Sequence, residues 1–131
     1  MTPAASLLQP ESNPALYVST VLMLYVDLPD TPLRASAQDQ WLARKLHEQG
    51  VPLTVVESAL LLASLRRLVR PAADLPPLPP IRSLAYFQPV IGEIQQQPLP
   101  PGYLDYLRLK LHRLGKVLPA EVPKNTLPGD R

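Results

Sequence analysis

The chain has 131 residues, 13 Lys+Arg against 11 Asp+Glu, no cysteine and 18 prolines. That length suits one domain able to bury roughly two-thirds of its unfolded surface, and 46% apolar with 18% charged residues excludes wholesale disorder. The lack of cysteine excludes a disulfide scaffold and a thiolate metal site, five glycines without a repeat exclude collagen, and prolines at nearly three times the usual ~5% announce a chain punctuated by turns.

Residues 1–12 mix polar residues and proline without a period and read as a loose arm. Asn13-Pro14 has the form of an N-cap followed by proline at the first helical position. The stretch Ala15 to Val26 holds Tyr17, Val18, Thr20, Val21, Tyr25 and Val26, all favourable in strands. The capping signal, and an apolar run longer than a typical strand, favour helix. Pro29 and Pro32 end the element. This stretch also falls short of the about 20 residues that span a bilayer. The first basic residue is Arg34, so the charged region of a secretory signal is missing. A soluble, cytoplasmic protein is expected.

Ser36-Ala37-Gln38-Asp39 resembles a capping box with Asp in the third helical position. The helix it opens runs to Gln49, with Gly50 as the permissive residue beyond its end. Leu42, Ala43 and Leu46 share a face, and Trp41 is placed to roof the core. Pro52 opens the next helix at its first turn. There Val55, Val56, Ala59, Leu60, Leu62, Ala63 and Leu65 surround the axis, the pattern of a central helix packed on several sides. Arg66, Arg67 and Arg70 complete its last turn before Pro71.

Residues 71–80 hold five prolines and favour extended polyproline II, a semi-rigid strut. Ser83 caps the next element, in which Leu84, Phe87, Val90, Ile91 and Ile94 recur at helical spacing. Pro89 inside that pattern requires a kink, or a short turn and then a new helix. The last helix, from about Tyr103 to Leu114, aligns Leu104, Leu107, Leu111 and Leu114 and ends at Gly115. Residues 116–131 read as a disordered tail. The expected fold is all-α, a compact bundle of about five helices in one domain over 13–115, with a proline-rich internal strut and loose termini.

Catalytic signals are weak. His47 and His112 lie on different helices in ordinary amphipathic patterns, and no ligand spacing joins them to Asp39, Glu48 or Asp105. Motifs for hydrolysis, phosphate cradling and dinucleotide binding are missing. No enzyme activity, metal or cofactor is expected.

Charge placement says more. Residues 1–39 carry four acidic groups and one basic, a net of −3, and the rest carry 12 basic and 7 acidic, a net of +5. The cations gather at Arg66, Arg67, Arg70, Arg82, Arg108, Lys110, Arg113 and Lys116. If the helices bearing them lie side by side, their C-terminal ends share a positive patch able to neutralise phosphates. The same cations also complement helix dipoles without any ligand. Tyr86 and Tyr103, with Phe87 and Tyr106, flank basic positions and can stack on unpaired bases or simply fill the core. The helices over 36–49 and 52–70 have the short joint of a helix-turn-helix, but the second is too apolar to lie in a major groove. The proline run can dock in an aromatic groove of a partner or brace two helices, and bracing is the stronger reading.

An arginine-rich helix end leading into the segment 81–94, IRSLAYFQPVIGEI, resembles the C-terminal domain of the DnaD family of primosomal proteins. The family motif is Tyr, three residues, Ile, three residues, Trp. Tyr86, Val90 and Ile94 occupy those positions, with Ile94 where the family has tryptophan and Pro89 as a further departure. The resemblance covers about residues 36–97. It implies DNA binding and helicase loading, and the same features suit a small accessory protein of a mobile element or replication operon.

The leading expectation is a non-enzymatic accessory protein of replication or recombination that binds DNA weakly and without sequence preference. Arg66, Arg67, Arg70, Arg82, Arg108 and Arg113 would contact phosphates, with Tyr86 and Tyr103 as stacking residues. The alternative is a helical interaction subunit or adaptor that docks on a larger protein.

Overall fold

Local signals start and stop most of the helices, and a few long-range bonds then lock them together. The computed structural model describes residues 10–69, 76 and 78–117, and among these the protein is all-α, with five α-helices and no strand. Of the expected loose arm 1–12 and tail 116–131, residues 1–9 and 118–131 lie outside the described residues, as do Arg70 and strut residues 71–75 and 77, while 10–12 form a 3-10 turn and 116–117 end the last helix.

Helix α1 spans Pro14–Val26. The Asn13 side chain accepts the Leu16 N–H at 3.2 Å, and Pro14 fills the first turn, where its missing N–H leaves nothing unpaired. After α1 the Thr31 hydroxyl bonds the Tyr25 and Leu28 carbonyls at 2.9 and 2.7 Å, and Asp30 takes the left-handed conformation at φ 65°. Aspartate tolerates that region better than most residues.

Helix α2, Ala37–Glu48, begins at the reciprocal Ser36–Asp39 capping box, with bonds of 3.1 and 2.9 Å. Gly50 turns the chain at φ 74°. Helix α3 spans Leu53–Leu68, with Pro52 at its N-cap rather than inside its first turn. Pro52 has no side-chain donor or acceptor to offer, and Glu11 caps α3 instead. Its carboxylate accepts the Leu53 N–H at 3.0 Å from a short 3-10 turn at Pro10–Ser12.

Pro89 falls in the first turn of a new helix. Leu84–Phe87 form a 3-10 turn capped by Ser83, and α4, Gln88–Gln96, continues directly from it. Helix α5, Tyr103–Val117, starts after Gly102, at φ 81°, and runs on through Gly115, two residues past the stop that glycine suggests.

Helix α3 is central, packing on α1, α4 and α5, while α2 packs on α1. The core joins Tyr17, Val21 and Tyr25 of α1 to Leu42 and Leu46 of α2, Val56, Leu60 and Ala63 of α3, Phe87, and Ile91 and Ile94 of α4. Trp41 is not part of it. At 59% exposure its ring stands in solvent with the Lys45 ammonium 5.4 Å from its centre. Leu42, Ala43 and Leu46 take the inward face of α2, and Trp41, about 100° round the helix from Leu42, is turned out of it.

Candidate functional site

The arginines are tied into the fold to very different degrees. Arg66 makes two bonds to the Glu93 carboxylate on α4, at 3.1 and 2.5 Å. That hydrogen bond holds the guanidinium above its usual pKa and the Glu93 carboxyl below its own. Arg108 grips Glu57 of α3 through two bonds of 2.8 Å and reaches Asp105 at 3.1 Å. The Arg67 side chain is only 9% exposed. It donates to Asp30 at 3.1 Å, to the Pro79 carbonyl at 2.9 Å and to the Tyr86 hydroxyl at 3.3 Å. Arg82 and Arg113 are exposed, with no ion pair or hydrogen bond among the described residues.

These side chains do not form one patch at the C-terminal ends of two helices. Tyr103, which opens α5, lies close enough to Arg66, near the end of α3, to act on it electrostatically. Arg108, a turn and a half further along α5, pairs with Glu57 near the start of α3. The two helices therefore run antiparallel, and their C-terminal ends lie at opposite ends of the pair. Arg66 and Arg67 sit at one end of α3, and Arg113 belongs to the other end of the pair.

The aromatic candidates are similarly engaged. Tyr86 is exposed, but the Arg67 guanidinium lies 5.5 Å from its ring centre and the Phe87 ring meets it edge-on at 5.1 Å. Tyr103 is half-buried, 5.2 Å from the Tyr106 ring. Of the DnaD-like positions, Tyr86 falls in the 3-10 turn, while Val90 and Ile94 lie on α4, half-buried and buried. The first half of α3 buries Val56, Ser58, Ala59 and Leu60, which leaves no polar face for a groove.

His47 is packed into the fold. Its ring packs edge-on against Tyr17 at 5.0 Å, and Nε2 lies 3.0 Å from the Glu11 carbonyl. Among the described residues no group of three or more His, Asp or Glu side chains could hold a metal.

The feature that residue-by-residue reasoning passed over is α1. From Pro14 to Val26 it carries no charged residue, yet one flank faces solvent. Ala15, Ser19 and Met23 are exposed along it, Met23 to 69%. Beside them a groove of about 440 Å³ is lined by Pro14, Ala15, Val18, Ser19, Leu22 and, from α2, Arg44. Tyr17 against His47, and Tyr25 within reach of the Asp39 charge, make α1 and α2 antiparallel. Trp41, one turn before Arg44 on the same flank of α2, is thereby set toward the Met23 end of α1. The signal was available in the sequence as thirteen uncharged positions in a row on one helix.

No family model, no curated protein and no solved structure matches this chain.

Proposed function

We propose that the protein is a helical interaction subunit that docks on a larger protein through α1 and the adjoining flank of α2. One observation carries this reading: the solvent-facing side of α1 carries no charge and exposes Met23 to 69%, where surface helices are ordinarily charged. Exposed apolar surface of this kind marks interaction sites. The groove beside it suits apolar side chains of a partner helix laid along α1, and Arg44 at its rim offers a charge to an acidic residue there. Phosphate binding draws less support, because Arg66, Arg67 and Arg108 already face carboxylates, and counterion release requires cations that are free to meet phosphates. The resemblance over 36–97 suggests that the partner belongs to a replication or recombination complex.

The test is site-specific photocrosslinking in the cell of origin. A crosslinker at position 23 should trap one protein that a crosslinker at the exposed Gln49 does not, and Leu22→Glu should abolish the product. Equal products from positions 23 and 49 would defeat the reading. So would tight, steeply salt-dependent binding of the purified protein to labelled DNA, with no crosslinked protein.

A further inference from the structure

Helix α5 carries its large apolar residues in two sets. Leu104, Leu107, Leu111 and Leu114 form the inward stripe, with Leu107 only 1% exposed. Tyr106 and Leu109 stand outside it, 48% and 47% exposed. Together with Lys110 and Arg113, both exposed, they fall at i, i+3, i+4 and i+7 and share about 100° of the helix surface. That is the spacing by which one helix packs on another.

Two of the cations that the fold leaves unmatched lie on this flank. Arg66 faces Glu93, Arg67 faces Asp30 and Arg108 faces Glu57. Lys110 and Arg113 have no hydrogen bond or ion pair among the described residues. The Lys110 ammonium lies 5.9 Å from the centre of the Tyr106 ring, which itself packs on Tyr103 at 5.2 Å. None of the four positions is acidic, and Asp105, the one acidic residue of α5, is held by Arg108 at 3.1 Å.

We propose that this flank of α5 docks an acidic amphipathic helix of another protein, with two carboxylates one turn apart followed by large apolar side chains. Along the axis of α5 the cations follow the apolar pair by about 6 Å. A helix laid antiparallel to α5 therefore meets Arg113 and Lys110 with its first turns and covers Leu109 and Tyr106 with the next. Carboxylates in its first turns also stabilise that helix through its own dipole, which selects this orientation. Other occupants fit less well. Leu109 gains nothing against a phosphate backbone, and a second copy would bring two cations from each chain into one contact with no carboxylate to balance them. The flank shares no residue with the α1 groove, and the two are tested separately.

The experiment is an NMR titration of the full chain with a synthetic helical peptide on an alanine–glutamine background. The peptide carries two glutamates one turn apart, then two leucines one turn apart. It should shift the backbone amides of residues 106–113. Glutamines in place of its glutamates should weaken binding by about tenfold, about threefold for each exposed ion pair. Leu109→Ala should weaken it by about fivefold, because the half-exposed side chain no longer covers the leucines. Lys110→Glu/Arg113→Glu should lose this peptide and gain one with lysines in place of the glutamates, with circular dichroism confirming that the variant stays folded. Shifts that are absent or that avoid residues 106–113 overturn the proposal, as do equal affinities for the glutamate and glutamine peptides or a charge swap that restores nothing. A single-stranded oligonucleotide that shifts the same amides at lower concentration than the peptide overturns it in favour of nucleic acid.

Discussion

The Asp39 carboxylate joins two parts of the chain that are 45 residues apart. One oxygen closes the capping box on the Ser36 N–H, and the other accepts the backbone N–H of Leu84 at 2.9 Å. The side chain is 1% exposed, and the bond to Leu84 lies away from water. It caps α2 and at the same time pins the 3-10 turn that carries Leu84 and Phe87 into the core. Asp39→Ala should therefore cost more than an ordinary cap, about 2–4 kcal/mol, since it also leaves the Leu84 N–H buried and unpaired. Urea unfolding measures this, and a loss below about 1 kcal/mol would show that water replaces the carboxylate.

Among the described residues the buried hydroxyl of Tyr25 has no hydrogen-bond partner, while its ring packs edge-on against Phe87 at 6.0 Å. Phenylalanine keeps the ring contact and removes the stranded hydroxyl. Tyr25→Phe should be more stable than the parent by about 1 kcal/mol in the same unfolding experiment. A destabilised variant would mean that the hydroxyl has found a partner.

Alkaline unfolding should show the two buried tyrosines. Burial pushes Tyr17 up to about 12, with Glu11 adding to the effect, and burial pushes Tyr25 up to about 12, with Asp39 adding to it. Unfolded tyrosine ionises near 10. Between those values the unfolded chain releases protons that the folded one retains, so stability is full below about pH 10 and falls as the pH rises toward 12. Tyr25→Phe should flatten that fall. Identical pH profiles for parent and variant above pH 10 would contradict it.

Leu60 on α3 is 1% exposed and packed within the main core cluster. Leu60→Ala should cost about 2–5 kcal/mol, from lost transfer energy and the cavity left behind. A loss under 1 kcal/mol would show that the neighbouring helices collapse onto the site.

The carboxylates that occupy Arg66 and Arg108 make a test of the phosphate reading. In Glu57→Gln/Glu93→Gln both guanidiniums lose their anionic partners at positions that are largely exposed for the arginines, so stability should change little. DNA affinity at low salt, read by fluorescence anisotropy, should rise above that of the parent and fall again with added salt. A parent that already binds as tightly as the double variant would mean that these carboxylates do not restrain the arginines.

The residues alone disclose what a few chain neighbours decide. The Asn13-Pro14 start, the Ser36–Asp39 box, the turn at Gly50 and the new helix at Pro89 each depend on backbone geometry within one turn of chain. The crowded apolar pattern of α3 placed it at the centre, because a helix apolar on all sides has no face to give to water. Gly115 misled, since a glycine permits a helix end without requiring one.

By itself, then, the sequence determined an all-α chain, where most of its helices begin, and which of them is central. The tertiary structure decided the fate of the charges. Arg66 with Glu93 and Arg108 with Glu57 are 27 and 51 residues apart, and no local pattern announces such pairs. The antiparallel run of α3 and α5 sent cations that looked like one patch to opposite ends. Packing likewise decided which side of the uncharged α1 met the core and which was left to solvent. Helical periodicity states that a face exists, whereas only the positions of the other helices state what covers it.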